Sequence, residues 1–223
     1  MKEYIDHLTI VFQNHKDEAI AKGQKAYMRE QFEFYGIKTP IRREIQKPFL
    51  DKLYLPQKDE LKRIVQALWS KPQREFQLFA QELVFCYSNS MEKNDVKLFE
   101  YMATHKSWWD TVDFIATKLM GEYFKIYKEE RNHYVEQWLA SGNIWLQRCA
   151  ILFQLKYKKD LDTQLLSYTI TYLLGSKEFF INKAIGWILR EYSKTNPEWV
   201  IDFVDKHSHL SPLSKREALK RLK

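Results

Sequence analysis

The chain has 223 residues, 45% of them hydrophobic and 15% aromatic, with a formal net charge of +7. That is ample for a buried core, in one domain or one continuous repeat array running over residues 1–223. Only 6 Gly and 6 Pro argue against a many-turned β-sandwich or barrel and in favour of long helices. The 36 Lys and Arg against 29 Asp and Glu point to a polyanion such as nucleic acid, although some ordinary cytosolic proteins share that balance.

The opening stretch MKEYIDHLTIVFQNHKDEA is broken by charge every few residues, so it reads as neither signal peptide nor membrane anchor. No apolar run approaches membrane-spanning length, and the expected home is a reducing cytoplasm with no membrane partner. Cys86 and Cys149 sit in apolar stretches and are expected to be buried, reduced thiols. There is no C-x-x-C, no two histidines stand three or four apart, and His207 and His209 have no further ligand near them. No metal and no cofactor are expected. Nothing hints at an oligomer, so a monomer is expected.

Along the chain, apolar residues recur at three- and four-residue spacing without sustained alternation. Ile64, Ala67 and Leu68 give one stripe, and Phe76, Phe79, Ala80, Leu83 and Val84 the next. Leu152 and Leu155, then Leu166, Ile170, Leu173 and Leu174, continue the pattern. Between the stripes fall Gly, Pro, Ser and Asn punctuators such as Leu55-Pro56, Ser141-Gly142-Asn143 and Asn196-Pro197.

Near the amino end, Thr39 followed by Pro40 predicts a capped helix whose start, flanked by Lys38, Arg42 and Arg43, would suit a phosphate or simply be a solvated basic turn. Aligning Phe76, Trp109, Trp145 and Phe180 gives a weak repeat, 33, 36 and 35 residues apart by subtraction, long enough for two helices per unit. Such a repeat predicts an all-α superhelix, a solenoid of HEAT-like helix pairs with a basic concave face.

The stretch from His105 to Asp113 carries the most chemistry. Ser107 and Asp110 read as a capping box. Asp113 falls four residues after Trp109, so a carboxylate and an indole share one helical face. The plain alternative is a core tryptophan beside an acid paired to a nearby Lys or Arg. Downstream, Trp145 and Arg148 share a face. Lys183, Trp187, Arg190 and Lys194 then recur in steps of four, three and four, as a sugar–phosphate backbone or a solvated basic face would require. Lys215, Arg216, Lys220, Arg221 and Lys223 form a basic tail that could add phosphate contacts or only solubility.

Taken in order, YGIKTPIRR, SWWDTVD, the W-x-x-R of Trp145 and Arg148, and GWILREYSK resemble the AlkD-type DNA alkylation-repair glycosylases, from Tyr27 to Lys194. The resemblance implies HEAT-like repeats that cradle duplex DNA and hydrolyse the N-glycosidic bond of N3- and N7-alkylated purines, leaving the lesion stacked. It implies that Asp113, Trp109 and Trp187 form the catalytic cluster. Arg148 and Tyr27 would flank it, and Thr39, Arg190 and Lys194 would hold phosphates, with Lys183 close by. No lysine shares the Trp109–Asp113 face, so a monofunctional enzyme is expected. A non-catalytic binder of duplex or branched DNA, or a HEAT-type protein scaffold, are the alternatives.

Overall fold

The computed structural model describes residues 2–222, so Lys223 of the basic tail lies outside the described residues. Helices carry those residues, and their only extended pairing is an isolated bridge between Glu33 and Gln73. The chain divides into two compact units, Met1–Ser90 and Met91–Lys223. Among the described residues, no helix is long and apolar enough to cross a membrane.

The first unit contains α1 (Lys2–Asn14), α2 (Glu18–Tyr27), α3 (Thr39–Gln46), α4 (Lys58–Ser70) and α5 (Arg74–Phe85). The sequence stripes bury themselves as their spacing requires: Ile64, Leu68, Phe76, Phe79, Ala80 and Leu83 are fully enclosed. Phe12 of α1 meets Phe76 and Phe79 of α5 at ring distances of 5.5 and 6.4 Å. Buried Glu75 accepts the backbone N–H groups of Tyr35, Gly36 and Ile37 at 3.1, 3.0 and 3.2 Å, which fixes the chain entering α3. Gly36 is required there. Its φ is +90°, and a Cβ would stand 2.0 Å from the Asp17 carbonyl oxygen.

Three expectations change in this unit. The helix of YGIKTPIRR starts one residue early, with Lys38 rather than Thr39 at the N-cap and no side-chain cap bond. Arg42 is not a phosphate ligand. It is buried, donating to Gln46 at 2.7 Å and Glu82 at 2.9 Å, because an enclosed guanidinium needs an internal partner. Cys86 is exposed, since α5 ends just before it, whereas Cys149 is buried; both are free thiols.

The second unit contains α6 (Asp95–Thr104), α7 (Trp109–Phe114), α8 (Gly121–Ile126), α9 (Arg131–Ala140), α10 (Ile144–Leu152), α11 (Thr163–Tyr172), α12 (Phe179–Tyr192), α13 (Pro197–Lys206) and α14 (Pro212–Ala218). Helices α7, α10, α12 and α14 pack side by side as one row. Behind them α6 backs α7, α9 and α11 back α10, and α13 backs α12 and α14. Between α7 and α8 the helix runs on through Ile115–Met120 with the wider π spacing, and Thr117 Oγ1 donates to the Asp113 carbonyl at 2.7 Å.

The end of the row is unusually close. A Cβ on Gly186 of α12 would lie 2.5 Å from Glu217 Cβ and 3.0 Å from the Ser214 carbonyl oxygen, so glycine is what lets α14 settle onto α12. Gly186→Ala would gain about 1 kcal/mol of helix propensity on a free surface. Here the overlap outweighs that gain, and a net loss of about 1–2 kcal/mol is expected in denaturant unfolding. A stabilised variant would contradict the close approach.

Candidate active site

Three helices of the second unit build the site through one guanidinium. Arg148, on α10, donates through Nε to Asp113 Oδ1 at 2.7 Å and through Nη2 to Asp113 Oδ2 at 2.9 Å, a two-pronged pair with α7. Its third arm, Nη1, donates to the Phe180 carbonyl at the start of α12 at 2.5 Å. The Arg148 side chain is only 4% exposed while that of Asp113 is 18% exposed, so the carboxylate is the member of the pair that reaches solvent. Burial pushes the Asp113 carboxyl above the ordinary carboxylate range; Arg148 opposes the rise and nearby Asp110 adds to it. An ionised carboxylate offers about four lone-pair directions, and Arg148 takes two of them. The remaining directions can accept a water or face a cation.

An aromatic cluster packs beside this junction. Trp108, Trp145 and Phe180, at the starts of α7, α10 and α12, have ring centroids 5.8, 5.2 and 4.9 Å apart. Trp108 belongs to the cluster because α7 begins one residue later than the capping-box reading. Trp108 is the N-cap, and Ser107 Oγ donates back to Ala103 at 2.7 Å. Trp109 therefore opens α7, half-buried, one turn before Asp113 on the same face. Cys149, next to Arg148, is no nucleophile, because burial pushes its thiol far above the physiological range.

Trp187 is half-buried on α12, seven residues and two turns after Phe180, so it lies on nearly the same face of that helix. The basic stripe around it is partly occupied. Lys183 and Arg190 both donate to Glu217 of α14, at 2.7 and 2.5 Å, and Lys194 donates to Glu191 at 2.5 Å. The Lys183 contact first, and Arg190 with it, hold the Glu217 carboxyl below its ordinary range. In the first unit Tyr27 is 73% exposed and Thr39 is exposed. Among the described residues no group of His, Cys, Asp and Glu is arranged to hold a metal ion.

The sequence reading missed Trp108, Glu217 and the Phe180 carbonyl, yet a signal for the pairings exists. Asp113–Arg148 and Lys156–Glu191 are each 35 residues apart and Lys183–Glu217 are 34 apart, all one repeat length. Residues one period apart in a stacked array are neighbours, so opposite charges at that separation are candidate bridges.

The chain matches a family model, DNA alkylation repair enzyme, over residues 8–222. A solved structure of a predicted DNA alkylation repair enzyme from Enterococcus faecalis is 35% identical and superposes with a TM-score of 0.87, covering 93% of this chain and 96% of that one. No curated protein matches the sequence. With the helices described above, this likeness makes the fold an all-α superhelix.

Removing Arg148 leaves a mostly enclosed carboxylate without its partner, so Arg148→Met should cost about 3–5 kcal/mol in denaturant unfolding. The double variant Asp113→Asn/Arg148→Met should recover part of that loss, because the orphaned charge goes with it. A loss under about 1 kcal/mol in the single variant would show that the junction does not hold the three helices together.

Proposed function

The chain belongs to the DNA alkylation repair enzyme family, and from that premise we propose that it is a monofunctional DNA glycosylase hydrolysing the N-glycosidic bond of N3- and N7-alkylated purines in duplex DNA. The observation that carries the proposal is Asp113. It is a carboxylate fixed by Arg148 from behind, still reaching solvent, with the Trp109 indole on its own helical face.

The chemistry suits such a group. An N3- or N7-alkylated purine is already cationic and leaves as a neutral base when the glycosidic electron pair departs with it. The sugar then develops oxocarbenium character, as in glycoside hydrolysis generally. Asp113 stabilises that cation and orients the attacking water, whose oxygen forms the new bond to the anomeric carbon and whose proton passes to the carboxylate or to solvent. Trp109 and Trp187 add their electron-rich faces and confine the sugar. Arg148, held on both sides, keeps the carboxylate ionised and aimed. Tyr27, Thr39, Lys183, Arg190 and Lys194 are proposed phosphate contacts on the concave side of one HEAT-like array over residues 1–223, acting as a monomer.

A second reading has one observation in its favour. Both Asp113 oxygens already hold an ion pair, which is what a purely structural acid would show, and this favours a non-catalytic DNA binder.

One assay separates the two readings. Wild-type protein should release 7-methylguanine from methylated duplex DNA, and Asp113→Asn should lose about 10²–10³ of the rate while keeping DNA affinity and its thermal melt. If wild type releases no base, the binder reading stands. The rate should also depend on pH in a fixed direction. The ionised form is the active one and burial raises its pKa, so activity should fall on acidification at a pH above the ordinary aspartate value of about 3.9. An acid limb at or below that value would mean another group controls the rate.

A further inference from the structure

The second unit carries a basic cleft of about 760 Å³ away from the Asp113 junction. Lys125 closes α8, while Lys128 and Arg131 lie on the turn into α9. Lys156, Lys158 and Lys159 follow α10, and Lys194 follows α12. Tyr157 lies among them, with Lys125 Nζ and the Arg131 guanidinium 5.5 and 5.2 Å from its ring centre. Asp160 is the one carboxylate in the lining.

Helix dipoles explain only part of this. Cations beyond a helix C-terminus are ordinary, which covers Lys125, Lys156 and Lys194, and these three also have glutamate partners. Lys128 and Arg131 stand at the start of α9, the end where the dipole disfavours cations. Among the described residues no carboxylate pairs with Lys128, Lys158 or Lys159. Lys158 also holds a left-handed backbone, φ +54°, a strained conformation for a residue with a side chain. Unpaired like charges gathered around an open cleft are unfavourable unless an anion meets them.

We infer that this cleft binds the phosphodiester backbone of the DNA duplex flanking the damaged nucleotide. Lys194 belongs both to the cleft and to the phosphate contacts of the proposed function, so the inference rests on that reading and extends its surface. From Asp113 to Lys125 is twelve residues along a nearly continuous helix, about 18 Å. At about 3.4 Å per base pair that distance reaches backbone roughly five pairs from the lesion. Size also favours a polymer: the volume and the spread of cations over four connections exceed what one free phosphate would use. The contact is electrostatic, so it sets affinity for any sequence and leaves the chemical step alone.

The test uses the full chain and a 25-base-pair duplex, with and without one 7-methylguanine. Lys158→Gln/Lys159→Gln, and separately Lys128→Gln, are compared with the charge-matched control Lys62→Gln/Lys206→Gln, whose positions lie outside the cleft. At about 0.1 M salt the cleft pair should weaken binding of both duplexes roughly tenfold or more, and Lys128→Gln several-fold. The control should change affinity less than about twofold, and the single-turnover release rate at saturating protein should stay at the wild-type value. Equal effects of cleft and control pairs, or no effect of the cleft pair, overturn the inference, as does a wild-type protein that binds no duplex. If wild type binds duplex but releases no base, the glycosylase proposal fails while the affinity comparison still decides the cleft. A thermal melt of each variant separates lost binding from lost folding.

Discussion

The second unit depends on one buried guanidinium. Arg148 sits on the middle helix of the row and spends its donors on both neighbours, a carboxylate on one side and a main-chain carbonyl on the other. Enclosing a charge is costly unless every donor finds a partner, so this arrangement is tolerated only in one register of the three helices. The requirement that keeps Arg148 satisfied also sets where Asp113 points. Position and reactivity of the acid are thus two results of one electrostatic constraint, and the neighbouring aromatic cluster keeps bulk water from loosening it.

Much of this was legible in the residues. Helical stripes such as Phe76, Phe79, Ala80, Leu83 and Val84 are buried because a three-and-four spacing can face a core in only one way. The importance of Asp113 and Arg148 also followed from their motifs, and the repeat length already contained their pairing. What failed was local. Ser107 and Thr39 were both assigned a capping role one residue away from where each helix begins, since a side chain that can cap may equally bond back to the preceding turn, as Ser107 does. That single step decides whether Trp108 or Trp109 enters the aromatic cluster. The widened turn at Ile115–Met120 left no sequence signal, because its side chains are those of an ordinary helix.

Arg42 shows another limit of reading charge from sequence. Among exposed cations it looks like a phosphate ligand, yet it is enclosed with Gln46 and Glu82. Burial, which no local motif reports, separates a guanidinium that builds the fold from one that meets a partner. Arg148 stands between these cases, since it is enclosed yet holds the acid that is not.

Glu217 gives the basic stripe of α12 an anion of its own. A polyanion arriving at Lys183 and Arg190 must compete with a carboxylate that is already in place and already dehydrated on one side. Swapping an internal partner for an external one sets free no small ions, so these two cations would contribute little to the entropy that ordinarily drives proteins onto DNA. Their contribution becomes geometric. Only a phosphate presented at the right place outbids the tethered glutamate, and a poorly placed one leaves the stripe closed.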